Sequence, residues 1–225
     1  MWDGERSTGD RPPIVLFDLD GTVCDSGPSI LACLRLTFAE FGLPPMDPVT
    51  ERRLLGPPFR ETLPALIGSL DVADVIAVYR RHYAADGAMY RTVAYDGIAA
   101  VLRGLVAAGT RLALATSKAE MLAEPILDRL GLRDCFTHVC GDRPDGSRGA
   151  KALVVGEALR RFGHPDPVDV RMVGDRLHDV QGAAAHEVPT LGAGWGYGGP
   201  GELADAGAIE IFDQPRELGT YLGLT

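Results

Sequence analysis

The sequence predicts an α/β fold with three layers: a parallel sheet between helices, interrupted near its start by an all-helical insertion. Short apolar runs without polar alternation recur along the chain, as is typical of strands buried on both faces. Amphipathic helical stripes separate the later runs, and this alternation favours parallel strands with right-handed crossovers. After the first run the pattern becomes purely helical, which predicts the insertion.

Six runs have the length and composition of buried strands. They are Ile14–Leu19, Arg111–Ala115, Cys135–Cys140, Val170–Val173, Pro189–Ala193 and Ile209–Phe212. Stripes of apolar residues beginning at Ile98 and Leu153 predict crossover helices between these strands. Pro125 lies well inside the helical stretch Ala119–Leu130, so we expect that helix to begin late or to be kinked.

The segment from about Ser26 to Tyr95 contains two helical stripes and no convincing strand of its own. The start of the chain carries acids and no apolar stretch, so we expect neither a signal peptide nor a transit peptide there. We therefore predict a disordered leader over residues 1–12, a core over residues 13–25 and 96–225, and a helical cap over residues 26–95.

Composition and charge exclude several classes of protein. Hydrophobic residues make up 46% and charged residues 24%, as in globular proteins, and no apolar run approaches the roughly 18 residues of a membrane span. The net charge of −9 argues against a nucleic-acid polymer as partner. The four cysteines lack zinc spacing and are expected to be buried thiols. We expect a cytoplasmic protein, and a homodimer stays open.

Polar residues follow three of the predicted strands at their carboxyl ends, where open parallel sheets collect ligands. Asp18 and Asp20 follow Ile14–Phe17 of the first run, Thr116-Ser117-Lys118 follow the second run and Gly174–Asp179 the fourth, while Lys151 opens the helix before that strand. Each motif alone is weak, because such residues are ordinary at strand ends and helix starts. Their joint occurrence in this order predicts an active site.

These residue types suit the transfer of a phosphoryl group. A carboxylate nucleophile divides hydrolysis into two easier steps through an aspartyl-phosphate. The carboxylate and the phosphate repel each other, so a divalent cation must bridge them, and oxygen ligands favour Mg²⁺.

The four motifs and the insertion resemble the haloacid dehalogenase-like hydrolase superfamily over nearly the whole chain after the leader. The resemblance implies a Rossmann-like core with a helical cap. Within the superfamily the sequence looks most like the phosphoglycolate phosphatase-like branch. Three stretches also look like bacterial 5′-nucleotidase-like members: Asp145–Arg148, Gly174–Asp179 and Gly194–Gly198.

The resemblance also implies roles for individual residues. Asp18 is the nucleophile, and Asp20 protonates the leaving oxygen and later accepts a proton from water. The implied ligands of Mg²⁺ are Asp18, the backbone carbonyl of Asp20, Asp175 and, through a bound water, Asp179. The implied contacts to the phosphate are Thr116, Lys151 and the backbone amides near Leu19 and Ser117.

Further candidates lie outside the four motifs. Arg53 and Arg60 flank Gly56-Pro57-Pro58 in the cap, where they either contact the non-phosphate end of the substrate or are solvated helix charges. The loop Gly194–Gly199 is expected to be flexible beside the site. Its Trp195 and Tyr197 are interpreted as core edges or as a wall for base stacking.

The resulting prediction is a Mg²⁺-dependent phosphatase acting on a small phosphorylated metabolite, either phosphoglycolate-like or a nucleoside 5′-monophosphate. A sugar phosphomutase or other phosphotransferase would use the same aspartyl-phosphate. A catalytically silent regulatory module on the same scaffold is the third hypothesis, and the intact set of motif residues argues against it. No membrane partner is expected.

Overall fold

The computed structural model describes residues 11–85 and 87–224, and a parallel six-stranded sheet forms its core. The strands are β1 (Ile14–Phe17), β4 (Arg111–Ala119), β5 (His138–Asp142), β6 (Val170–Gly174), β7 (Thr190–Ala193) and β8 (Glu210–Phe212). Their order across the sheet is β5-β4-β1-β6-β7-β8. This arrangement confirms the predicted α/β fold.

Helices cover both faces of the sheet. They are α5 (Ile98–Ala107), α6 (Glu120–Leu130), α7 (Lys151–Arg161), α8 (Leu177–Ala184), α9 (Glu202–Ala206) and α10 (Pro215–Tyr221). Val15 and Phe17 of β1 pack in the cluster that includes α5, α6 and α10, whereas Ile14 and Leu16 pack with α7 and α8. Both faces of β1 are therefore buried, which explains why its sequence is continuously apolar.

The insertion is helical, and its two ends are joined by a short ribbon. Its helices are α1 (Gly27–Glu40), α2 (Pro48–Arg53), α3 (Phe59–Thr62) and α4 (Val72–Ala85). The ribbon pairs β2 (Cys24–Asp25) with β3 (Val93–Ala94) in antiparallel fashion where the chain enters and leaves the insertion. Strands of two residues carry no periodic pattern, so sequence reasoning missed β3.

Several predicted element bounds were wrong; β1, for example, ends at Phe17 rather than at Leu19. β4 extends beyond the predicted end at Ala115: after a register shift, Ala119 still pairs with β5. The end of the strand is polar, so no apolar pattern marked it in the sequence. Cys135 lies in a 3₁₀ turn, and β5 begins only at His138. α6 begins at Glu120 and continues through Pro125, because its buried face packs on the core and offsets one missing amide donor.

The end of the predicted leader contacts the last helix of the core. Arg11 donates hydrogen bonds to the carbonyls of Leu222 and Gly223, at 2.9 and 2.7 Å. Residues 1–10 lie outside the described residues. The four cysteines are buried and form no disulfide, as predicted. Among the helices in the described part of the chain, none combines the length and the apolar character needed to cross a membrane.

Candidate active site

Three buried aspartates meet at the carboxyl edge of the sheet. Asp18 follows β1, Asp175 follows the neighbouring β6, and Asp179 lies in the first turn of α8. One carboxylate oxygen from each lies within 4.8 Å of the other two. The structure thus brings together three residues that the sequence analysis named as metal ligands; we call them the acidic cluster.

Lys151, the first residue of α7, reaches into the acidic cluster. Its Nζ lies 2.7 Å from Oδ1 of Asp18 and 2.7 Å from Oδ1 of Asp179, and it donates to the carbonyl of Ala115 at 3.1 Å. Three carboxylates face one ammonium, so the cluster carries a formal excess of two negative charges (three minus one). Such an excess in a buried site calls for a further cation.

Burial shapes the titration of the cluster. It raises the pKa of Asp18 to about 6: the nearby Lys151 opposes this shift and the negative charge of Asp179 adds to it. Burial, together with the charges of Asp179 and Asp18, also raises the pKa of Asp175 well above its usual range. For Lys151 burial acts in the opposite direction, but the two carboxylates outweigh it and raise its pKa.

The carboxylate of Asp175 is held by groups from two loops. Its Oδ1 accepts a hydrogen bond from Oγ1 of Thr22 at 3.1 Å, and its Oδ2 accepts one from the backbone amide of Tyr197 at 2.8 Å. Gly21 has a φ of +91°, and a Cβ there would lie 2.2 Å from Oδ2 of Asp175. Only glycine permits both this conformation and this close approach.

A metal ion fits these residues. The potential ligands are all oxygens, which suits a hard divalent cation such as Mg²⁺. Asp179 is also oriented for the task, since its Oδ2 accepts a hydrogen bond from the amide of Arg176 at 3.0 Å while Oδ1 points to Lys151.

Asp20 lies outside the acidic cluster and has partners of its own. Its Oδ1 accepts a short hydrogen bond from the hydroxyl of Ser26, and its Oδ2 lies 3.0 Å from Nζ of Lys118. Sequence reasoning quoted Lys118 but assigned it no role. The available signal was that Lys118 and Lys151 are the only lysines in the sequence.

A cavity of about 240 Å³ extends from Asp20 into the space between cap and core. Its polar lining comprises Asp20, Glu61, Asp142, Ser117, Ser147, Lys118, Arg60 and Arg80, and its apolar lining includes Leu54, Phe59, Ile76 and Tyr79. Arg60, named from the sequence, is thus at the cavity. Arg53 is exposed on α2 and does not line it, so its contact with a substrate stays a prediction.

The remaining named residues lie on the segments that surround Asp18. Thr116 is buried on β4, and its Oγ1 accepts a hydrogen bond from the amide of Lys118 at 3.2 Å. The hydroxyl of Ser117 is buried without a hydrogen-bond partner among the described residues. The carbonyl of Leu19 accepts amide hydrogen bonds from residues 22 to 24, which folds the loop after Asp18 tightly. The predicted phosphate contacts of all three stay predictions.

The glycine-rich loop packs against the entrance to the cap. Trp195 donates from Nε1 to the carbonyl of Thr22 at 3.0 Å. The hydroxyl of Tyr197 accepts hydrogen bonds from the amides of Ser26 and Gly27, at 2.9 and 2.7 Å, and donates one to the carboxylate of Asp25 at 2.8 Å. Neither aromatic ring lines the cavity, so the base-stacking wall considered from the sequence stays a prediction.

Comparison with known proteins identifies the family. The model of the haloacid dehalogenase-like hydrolase family matches residues 15–193. The chain belongs to this family. The predicted resemblance is therefore confirmed, and the acidic cluster occupies the ends of β1 and β6 in a haloacid dehalogenase-like fold.

Similar proteins within the family carry different names. The tyrosine-protein kinase PtkA of Mycobacterium tuberculosis is 42% identical over 192 residues, which are 85% of this chain. This chain spans 65% of the length of that curated relative. A phosphoglycolate phosphatase of Rhodospirillum rubrum is 34% identical over 223 residues, covering 94% of this chain and 91% of the relative.

Solved structures support the same fold. The crystal structure of a predicted phosphatase from Clostridium acetobutylicum matches with a TM-score of 0.87 at 31% identity. The match covers 94% of this chain and 98% of the other, so it includes both the sheet and the helical insertion.

Proposed function

We propose that the protein is a Mg²⁺-dependent phosphatase that hydrolyses small phosphomonoesters through an aspartyl-phosphate on Asp18. The observation that carries the proposal is the buried acidic cluster with Lys151, together with a neighbouring cavity that is lined by a further aspartate, Asp20. The phosphatase names of several relatives support it. A small phosphorylated metabolite is the proposed partner, and the cytoplasm the proposed location.

The acidic cluster would hold the metal. Asp18, Asp175 and Asp179 would provide carboxylate oxygens or bind its waters, and Asp20 its backbone carbonyl. When bound, the ion supplies the positive charge that lets an anionic carboxylate approach an anionic phosphate.

Two displacement steps account for hydrolysis. A carboxylate oxygen of Asp18 attacks phosphorus, the bond to the leaving oxygen breaks, and Asp20 gives that oxygen a proton. Water then attacks phosphorus, the bond to Asp18 breaks, and Asp20 takes a proton from the water. In both steps Thr116 binds the phosphoryl oxygens, and Lys151 supplies positive charge to them.

Phosphate release from a panel of metabolites tests the proposal. Wild-type protein should release phosphate in the presence of Mg²⁺, and this release should stop when a chelator is added. Asp18→Asn should lower kcat by at least about 10³-fold, because it removes the nucleophile. Asp128→Asn, an exposed change on α6, is the control and should keep full activity. Undiminished activity in Asp18→Asn would refute the aspartyl-phosphate.

A second candidate is transfer of the phosphoryl group to a tyrosine hydroxyl. The name of the relative that is 42% identical favours it. A hydroxyl would then replace water in the second step, with the same proton transfer to Asp20. Incubation with ATP and a tyrosine-containing peptide distinguishes the two functions. Phosphopeptide formation that Asp18→Asn abolishes supports transfer, whereas free phosphate alone supports hydrolysis.

A further inference from the structure

Lys118 is a buried cation to which the two displacement steps assign no role. Its side chain is 7% exposed, and that of its partner Asp20 is 13% exposed. The distance of 3.0 Å between Nζ and Oδ2 of Asp20 makes this a direct ion pair at the wall of the cavity. A buried charge is retained only when it is paired, so the contact constrains both side chains.

The two oxygens of Asp20 have different donors. Ser26 donates its hydroxyl to Oδ1, and Lys118 places its ammonium against Oδ2. Rotation of the carboxylate would break at least one of these contacts. The pair of donors therefore sets the plane and the direction of the carboxylate, and Lys118 provides the charged half.

The cap holds the other side of Lys118. Its Nζ lies 4.7 Å from the ring centroid of Tyr83 and 3.4 Å from the hydroxyl of that residue, which is fully buried on α4. Tyr83 in turn stacks on Tyr79 at 5.6 Å.

We propose that Lys118 is a positioning residue: supported by Tyr83 of the cap, it orients the Asp20 carboxylate for proton transfer to the leaving oxygen. The inference rests on the proposed phosphatase function and extends it to the contact between cap and acid. Tyr83 belongs to α4 of the cap, and Lys118 belongs to β4 of the core. The support that Tyr83 gives to Lys118 therefore depends on the packing of α4 against β4.

The leaving group provides a test that a purely structural role would not affect. An alkyl phosphate needs its leaving oxygen protonated, whereas p-nitrophenyl phosphate releases an anion that is already stable. Lys118→Met should lower kcat/KM by about 100-fold for the alkyl phosphate and by less than about threefold for the aryl phosphate. Asp20→Asn should give the same pattern, and Lys118→Arg should recover most of the loss.

Arg80→Met is the matched control. Arg80 is a second cation of the cavity wall, on the same helix as Tyr83, and it donates to the carbonyl of Pro144 rather than to a carboxylate. Its removal should change kcat/KM by the same factor for the alkyl phosphate and for the aryl phosphate. If Lys118→Met fails to fold, Ser26→Ala removes the other donor to Asp20. It should also lower kcat/KM more for the alkyl phosphate than for the aryl phosphate, but by a smaller factor.

Two results would overturn the inference while leaving the proposed function intact. One is an equal loss for both substrates in Lys118→Met, which would make Lys118 a substrate-binding residue. The other is no loss for either substrate. Failure of the proposed function is recognised separately, because the wild-type protein would then release no phosphate from any substrate.

Discussion

At the scale of single residues, glycines determine how closely the backbone approaches the acidic cluster. Besides Gly21, a Cβ at Gly196 would lie 2.2 Å from Cβ of Asp175, and one at Gly174 would lie 2.2 Å from Cγ of Asp179. The backbone therefore packs closely around these carboxylates, beside the side-chain contacts from Thr22 and Lys151. Substitution of such a glycine should disturb the metal site directly.

Gly21→Ala should therefore lower both stability and metal affinity. The new methyl group would collide with Asp175 and would also strain a backbone with positive φ, a combined cost of about 2–4 kcal/mol. Urea denaturation measures the free energy of unfolding, and calorimetric titration measures the affinity for Mg²⁺.

Gly109→Ala separates the effect of backbone strain from the effect of the collision with Asp175. Gly109 has a similar φ of +87°, but no atom lies within 4 Å of its Cβ position. We expect a loss of about 1 kcal/mol from backbone strain alone, with unchanged Mg²⁺ affinity. Equal effects of the two substitutions would contradict the close approach to Asp175.

At the scale of elements, an ionic network holds the segment that delivers Lys151. Arg148, just before α7, lies 2.7 Å from Glu120 of α6 and 3.3 Å from Glu157 of α7. Arg161, at the end of α7, contacts both glutamates at 3.0 and 2.8 Å. The network links both ends of α7 to α6, so the first residue of the helix has a defined position.

This network should make stability depend on pH. Hydrogen bonds from Arg160 and Arg161 outweigh burial and lower the pKa of Glu157 from 4.5 to about 2. A lowered folded-state pKa means that the contribution is complete above the unfolded value of 4.5 and is lost as pH falls toward 2. Glu157→Gln should cost about 1–2 kcal/mol at neutral pH, after allowing for the exposure of Arg160.

Urea denaturation between pH 7 and pH 3 measures this effect. The stability difference between wild type and Glu157→Gln should shrink steadily once the pH falls below about 4.5. Glu210→Gln, an exposed change on β8, should differ from wild type by less than about 0.5 kcal/mol throughout. A pH-independent difference for Glu157→Gln would rule out the ionic origin.

At the scale of the whole molecule, several polar contacts join the cap to the core. Arg60 and Arg80 donate to the carbonyls of Asp145 and Pro144, each at 3.2 Å. On another side Arg176 donates to the carbonyl of Leu55. These polar contacts join cap and core beside the apolar cluster that the two share.

Tyr197 connects the metal site to the entrance of the cap. Its amide binds Asp175, and its hydroxyl binds the backbone of residues 26 and 27. Tyr197→Phe leaves the amide of Ser26 without its acceptor and the amide of Gly27 with the carboxylate of Asp25 alone, which should lower the free energy of unfolding by about 1–3 kcal/mol. Thermal and urea denaturation measure the loss, and Tyr221→Phe, at a 43% exposed tyrosine, should be neutral.

The sequence by itself determined the architecture and the acidic cluster. Strands buried on both faces must be apolar, so their positions could be predicted, and parallel strands bring their carboxyl ends to one edge. Asp18 and Asp175 follow β1 and β6, which pair directly, and Lys151 opens α7 as predicted. These relations depend on local pattern and chain order alone.

Only the tertiary structure decided which side chains meet across the chain. Lys118 contacts Asp20 in the core and Tyr83 in the cap, and Tyr197 binds residues about 170 positions away. Such contacts depend on the angles at which helices and loops pack, and neither spacing nor composition encodes those angles. For this reason sequence reasoning found the cluster that would hold the metal and missed the residue that holds Asp20.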